Sequence, residues 1–308
     1  MTLLLYGALI ITQIGICAKQ YAMKKCAGRA KGGFNSLCIN LARSAICLLV
    51  SLIIWLFTDG GGTNTVGLAL SIGAGVGTAL NLYTWILSAQ RVSLILIEGA
   101  STVGGLILPL ILAPFLYNGD SVSVLQWVGT ALVVISIFLF SKSGTRKAGK
   151  GGALGSIILV SVCALGGAVS SVFRKLYSFH IAEKSLGSIE FFTFISFVAV
   201  FLLFALVFPF YYGKEKQKLI AEGKGGRVEL PYKRVWLFIL IAAISLYACE
   251  LFSSYASALP SAVYYPVSRA LTILGTFLLD TLVFKEKITA KSLIGLVLLI
   301  AAVILINL

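Results

Sequence analysis

Charge is scarce in this sequence. Only 12% of its 308 residues are Asp, Glu, Lys or Arg, about half the share of an ordinary soluble domain. Acidic side chains are the scarcest, 11 against 25 Lys and Arg. Histidine occurs once, as His180 in a polar stretch, so no second imidazole stands at ligand spacing. No two of the six cysteines form a CxxC pair, and Cys17, Cys38, Cys47, Cys163 and Cys249 lie inside apolar runs, where a thiol acts as a small hydrophobe. These absences argue against a metal centre, a disulfide frame or a cofactor. An intramembrane enzyme would need paired His with Glu, a Ser–His pair or paired deep aspartates, and none is evident. The glycine-rich "SIGAGVGTA", 71–79, has no Lys-Ser/Thr after it, so it reads as helix packing rather than a phosphate loop. The basic residues are scattered over short loops and form no stripe, which argues against nucleic acid.

What is abundant is apolar length. Hydrophobic residues make up 59% of the chain, and the mean hydropathy is +1.00. Ten apolar segments stand between polar breaks, at 2–23, 36–57, 66–90, 92–116, 122–141, 153–175, 187–212, 234–257, 261–284 and 289–307. Most approach or exceed the ~20 residues that a helix needs to cross a bilayer core. They do not alternate as barrel strands would, so each is expected to be a helix that satisfies its own backbone. Leu3–Cys17 lacks a basic segment before it and a small-x-small site after it, and reads as a retained first helix.

The loops after odd-numbered segments carry 19 of the basic residues, and those after even-numbered segments carry three, Arg174, Lys175 and Lys184. The positive-inside rule then puts the odd loops in the cytoplasm and both termini outside.

The chain also repeats itself. At an offset of 166 residues, "LYNGDSVSVLQWVGTALVVISIFL", 116–139, falls without a gap on "LVFKEKITAKSLIGLVLLIAAVIL", 282–305. Asp120 meets Glu286, Ser123 meets Thr289 and Gly129 meets Gly295. Thr289 suits an N-cap, and the two glycines suit close helix approach. Five segments per copy is an odd number, so the copies would insert with opposite topology. The expected fold is therefore an all-α integral membrane protein of ten transmembrane helices in two inverted five-helix repeats. Residues 1–141 form the first repeat, 142–152 a basic linker, and 153–308 the second, with a polar loop at 213–234.

Ten spans, a five-plus-five duplication and "[FY]-x-[ED]-x-[IV]-[ST]…G" before the last helix of each half resemble the drug/metabolite transporter superfamily, in its EamA-like branch. "VYYPVSRALTILGTFLLDTLVFKEKITAKSLIGLVLLIAAVILIN" carries the resemblance most strongly. "YNGDSVS" departs from it, with Asp where the family usually has Glu. A second departure is orientation, since such members usually keep both termini inside. The resemblance implies a secondary carrier of a small metabolite in the plasma membrane, working by alternating access and driven by protons or by exchange. It also implies a central cavity lined by spans such as three, four, eight and nine. The competing readings are a flippase for a lipid-linked substrate and, more remotely, an intramembrane enzyme.

Ionisable residues inside a span mark candidate sites. At ~1.5 Å per residue, Arg269 lies ~13 Å and Glu250 ~12 Å from the turn at Pro260, on consecutive helices. Matching depth suggests an ion pair, either as a register clamp or as a substrate or proton site. Arg43 lies ~12 Å and Glu98 ~8 Å into their segments on the same scale. Pro266 stands one turn before Arg269, where a helix break would suit a carrier site. Tyr247, Tyr264 and Tyr265 add polar tips nearby, and Asn81, Tyr83 and Trp85 supply similar groups in the third span. Lys19, Glu190 and Asp280 lie near segment ends and are expected to snorkel.

Overall fold

A computed structural model describes residues 2–29, 32–58, 62–92, individual positions between 94 and 115, 123–141, 153–181, 186–223, 228–285 and 290–307. Nine helices run through them in chain order: α1 Thr2–Arg29, α2 Gly33–Phe57, α3 Thr65–Ala89, α4 Val124–Ser141, α5 Ala153–His180, α6 Ile189–Ala221, α7 Tyr232–Ala256, α8 Ser261–Leu278 and α9 Ala290–Asn307. Between α3 and α4, the described residues of the fourth apolar segment, Glu98 and Gly105 among them, are also helical. Among the described residues there is no strand.

Six of these helical stretches are long and apolar enough to cross a membrane. Large apolar side chains accordingly point outward, as with Phe57, Leu206, Phe210, Trp236 and Leu282. In water such a surface would aggregate; in hydrocarbon it is matched to its surroundings. Ser, Thr, Asn, Arg and Lys side chains are instead found inside the bundle. The chain is a multi-pass membrane protein.

Local sequence sets the helix starts. Asn64 caps α3 by accepting from the Gly67 amide at 2.9 Å, and Ser188 caps α6 by accepting from the Phe191 amide at 3.1 Å. Each satisfies a backbone donor that the first turn leaves unpaired.

Three helices run past their expected ends. α1 reaches Arg29 rather than 23, and α5 reaches His180 rather than 175. α6 reaches Ala221, so residues 213–221 of the expected polar loop 213–234 are helix. Polar residues extend a helix readily once it leaves the apolar layer, because nothing in Lys, Glu or Gln opposes helix. Pro266 does not break α8, which is continuous from Ser261 to Leu278. The irregular place is a π-helical turn, Leu279–Val283. The turn residues Asp120, Glu286 and Thr289 and the linker 142–152 lie outside the described residues.

The helices pair in a definite order. α1 packs along α7, α3 along α5, α2 along α6, and α4 along α9. Close approach rests on small residues. A Cβ on Gly166 of α5 would lie 2.7 Å from the Gly77 carbonyl oxygen and 2.7 Å from the Asn81 amide nitrogen on α3. A Cβ on Gly15 of α1 would lie 2.8 Å from Cys249 Sγ and 3.3 Å from the Ser245 carbonyl oxygen on α7. Between α4 and α9, Gly129 and Gly295 are both buried.

A polar cavity at the centre of the bundle

Between these pairs lies a cavity of about 110 Å³. Its wall is polar. α1 contributes Thr12 and Lys19, α3 Thr78, Asn81 and Trp85, and the fourth segment Glu98 and Ser101. α5 contributes Ser170, Ser171 and Arg174; α7 contributes Glu250 and Ser253; α8 contributes Tyr264, Ser268, Arg269 and Thr272.

Glu250 and Arg269 both face this cavity, but they are not each other's ion-pair partners. Glu250 is bonded to Arg174 of α5 in a salt bridge. Arg174 also donates to Ser253 Oγ at 3.0 Å and to Ser170 Oγ at 3.4 Å. One guanidinium thus ties α5 to α7 with a charge-assisted fork. The expectation of a Glu250–Arg269 pair failed because depth along two helices says nothing of which face each residue occupies.

Arg174 was hidden from sequence reasoning by the short estimate of α5. It is 7% exposed, and its neighbour Lys175 is 2% exposed. Lys175 Nζ donates to the Ser257 carbonyl at 2.8 Å and to that of Leu259, which closes the α7–α8 turn over α5. Neither belongs to a loop.

Arg269 has a different setting. Its Nη2 donates to Ser171 Oγ at 3.1 Å. Its guanidinium lies against Gly105 of the fourth segment, where a Cβ would come within 2.7 Å of Cζ. Only glycine leaves that space, so Gly105 belongs to the site although nothing in the sequence marked it. Lys19 does not snorkel to an interface. With α1 running to Arg29, Lys19 is ten residues from the helix end, ~15 Å at the helical rise, and it lines the cavity.

In the same wall, Trp85 Nε1 donates to Glu98 Oε1 at 2.7 Å. Ser253 Oγ and Tyr264 Oη are 2.6 Å apart on the α7–α8 side. Asn81 is anchored through Nδ2 to the Cys163 carbonyl at 2.9 Å.

Four of the candidate site residues stand outside the central cavity. Arg43 lines a separate crevice of about 10 Å³ and donates from Nη2 to Asn40 Oδ1 at 2.6 Å. Tyr83 packs edge-on against Tyr211, with ring centroids 6.1 Å apart. Tyr247 lies in the core near Phe197, and Tyr265 donates to the Ser171 carbonyl at 3.3 Å behind the cavity wall. Glu190 accepts from Tyr255. Asp280, within the π-turn, is paired to Lys24 at 2.8 Å, and Lys24 Nζ also sits 3.9 Å over the Phe284 ring. Among the described residues no His, Cys, Asp and Glu cluster could hold a metal ion.

No family model matches the chain, and no curated protein is found to resemble it. Among solved structures, 28 chains match. One of them, a crystal structure of a protein 13% identical in sequence, covers 98% of this chain and 98% of its own with a TM-score of 0.64. At that identity the likeness shows a common fold, followed from end to end, and nothing of the activity.

Proposed function

We propose that this chain is a secondary active transporter of a small polar solute, built as two inverted five-helix repeats that work by alternating access. The observation that carries the reading is a contact made twice around one polar cavity. Gly166 of α5 meets residues 77 and 81 of α3, and Gly15 of α1 meets residues 245 and 249 of α7. Gly15 and Gly166 are 151 positions apart, and 77 and 81 precede 245 and 249 by 168. Under the same correspondence Trp85 falls on Ser253. At the 166-residue offset of the terminal hairpins, Glu98 falls on Tyr264. The bonds Trp85–Glu98 and Ser253–Tyr264 are then equivalent. Such exchange of partners is what an inverted repeat produces, with the solute site between the two copies. The superfamily resemblance points the same way.

The charge distribution supports both termini facing outward. With Arg174 and Lys175 inside α5, Lys184 is the one basic residue left in the loops after even-numbered spans, so the asymmetry is steeper than the sequence count implied. A C-terminal reporter active only in the cytoplasm should give no signal; strong signal would reverse the orientation.

The reading is tested in proteoliposomes with a panel of labelled small metabolites. Saturable uptake, accelerated by unlabelled solute preloaded on the far side, is the expected result. Absence of carrier-mediated flux for every class on the panel would overturn it.

A further inference from the structure

We infer that the central cavity takes a small organic monoanion whose carboxylate is held by Arg269 and Lys19. This rests on the transporter reading for its role, but the charge argument stands on the cavity itself. The wall carries three cations, Lys19, Arg174 and Arg269, and two carboxylates, Glu98 and Glu250. Arg174 and Glu250 neutralise each other. Glu98 already accepts from Trp85. The hydrogen bond of Arg269 goes to a neutral hydroxyl. Among the described residues Lys19 makes no hydrogen bond and no ion pair.

Uncompensated positive charge in a low-dielectric bundle is costly, and a monoanion removes one unit of it. A dianion would overshoot the excess of the wall. The volume of about 110 Å³ is below the ~300–1,000 Å³ of pockets that hold drug-sized ligands, so the solute has few heavy atoms. The guanidinium fork matches a carboxylate in two parallel hydrogen bonds, and the ammonium adds a point charge. Thr12, Ser101, Ser268 and Thr272 supply hydroxyls for the rest of a polar solute. Gly105 leaves the guanidinium the room it occupies.

The test uses the purified full-length chain and the probes propanoate, lactate, L-alanine, propanamide and ethylammonium. Thermal stabilisation in detergent reads binding, and counterflow in proteoliposomes reads transport. Propanoate and lactate are expected to stabilise the protein and propanamide and ethylammonium are not. Arg269→Gln and Lys19→Gln should each weaken the response at least tenfold, with Arg269→Lys intermediate. Gly105→Ala should weaken it several-fold with both cations retained. Lys216→Gln, on an exposed part of α6, should leave it unchanged. Equal stabilisation by propanamide and propanoate, preference for ethylammonium, or preference for zwitterionic L-alanine over both carboxylates would overturn the inference. Carboxylate binding without flux would sink the transporter reading and leave this one standing. Flux of neutral or cationic solutes alone would do the reverse.

Discussion

Arg43 and Arg269 look alike in the sequence and differ in the fold. Both are single arginines deep in apolar runs. Arg43 is 1% exposed, fixed to Asn40 one turn earlier, with its Nε unpartnered among the described residues. Arg269 is half-buried, held by one serine, and presents its guanidinium to the central cavity against a glycine. Intramembrane charge therefore marks two kinds of place. One is a sealed charge bonded within α2; the other is a charge that faces the central cavity.

That contrast orders the expected effects of substitution. The largest belongs to the pair neither arginine joins. Glu250→Gln alone leaves the buried Arg174 orphaned and should cost about 3–5 kcal/mol, read as a fall in the thermal unfolding midpoint in detergent, while Arg174→Gln leaves Glu250 partly exposed at the cavity and should cost less. The double substitution should recover most of it, since neither charge is then left alone. Arg269→Gln added to Glu250→Gln should recover none. Full rescue by Arg269→Gln would restore the pairing expected from depth alone.

Arg43→Gln comes next. It shortens the donor to Asn40 and loosens a sealed contact, at a cost of about 1–3 kcal/mol, while the flux carried per folded molecule stays within about twofold of the unaltered chain on the scale where 1.4 kcal/mol is tenfold. A tenfold loss of flux with unchanged stability would place Arg43 in the site after all. Lys24→Gln should lower stability by about 1–3 kcal/mol, because it removes the charge that is bonded at 2.8 Å to the Asp280 carboxylate within the π-turn. Gly105→Ala should be the mildest, within about 1 kcal/mol by helix propensity. Its effect should fall on solute affinity, through the displaced guanidinium.

Much of this was legible in the sequence, and the failures share a cause. Hydropathy located the apolar segments because lipid tolerates few backbone solutions. Depth picked out Glu250, Arg269 and Glu98, which line the cavity, together with Asn81, Trp85 and Tyr264. Depth also picked out Arg43, which does not line it, because distance along an axis carries no angle around it. Lys19 and Arg174 were assigned to span ends because α1 and α5 outrun their apolar stretches by about a turn or more. A lysine or arginine near a hydropathy boundary looks interfacial until the helix is known to continue. Gly105 had no signal, since its role is the space beside another residue.

Counterflow per folded molecule, measured side by side on Arg269→Gln and Arg43→Gln, tests the account most directly. Labelled lactate is the probe, and each variant is first matched for folded protein by its unfolding curve. The account predicts that Arg269→Gln unfolds near the midpoint of the unaltered chain yet loses at least nine-tenths of its counterflow, on the scale where 1.4 kcal/mol is tenfold, while Arg43→Gln is less stable and still carries the solute. Equal counterflow by Arg269→Gln and the unaltered chain would contradict it.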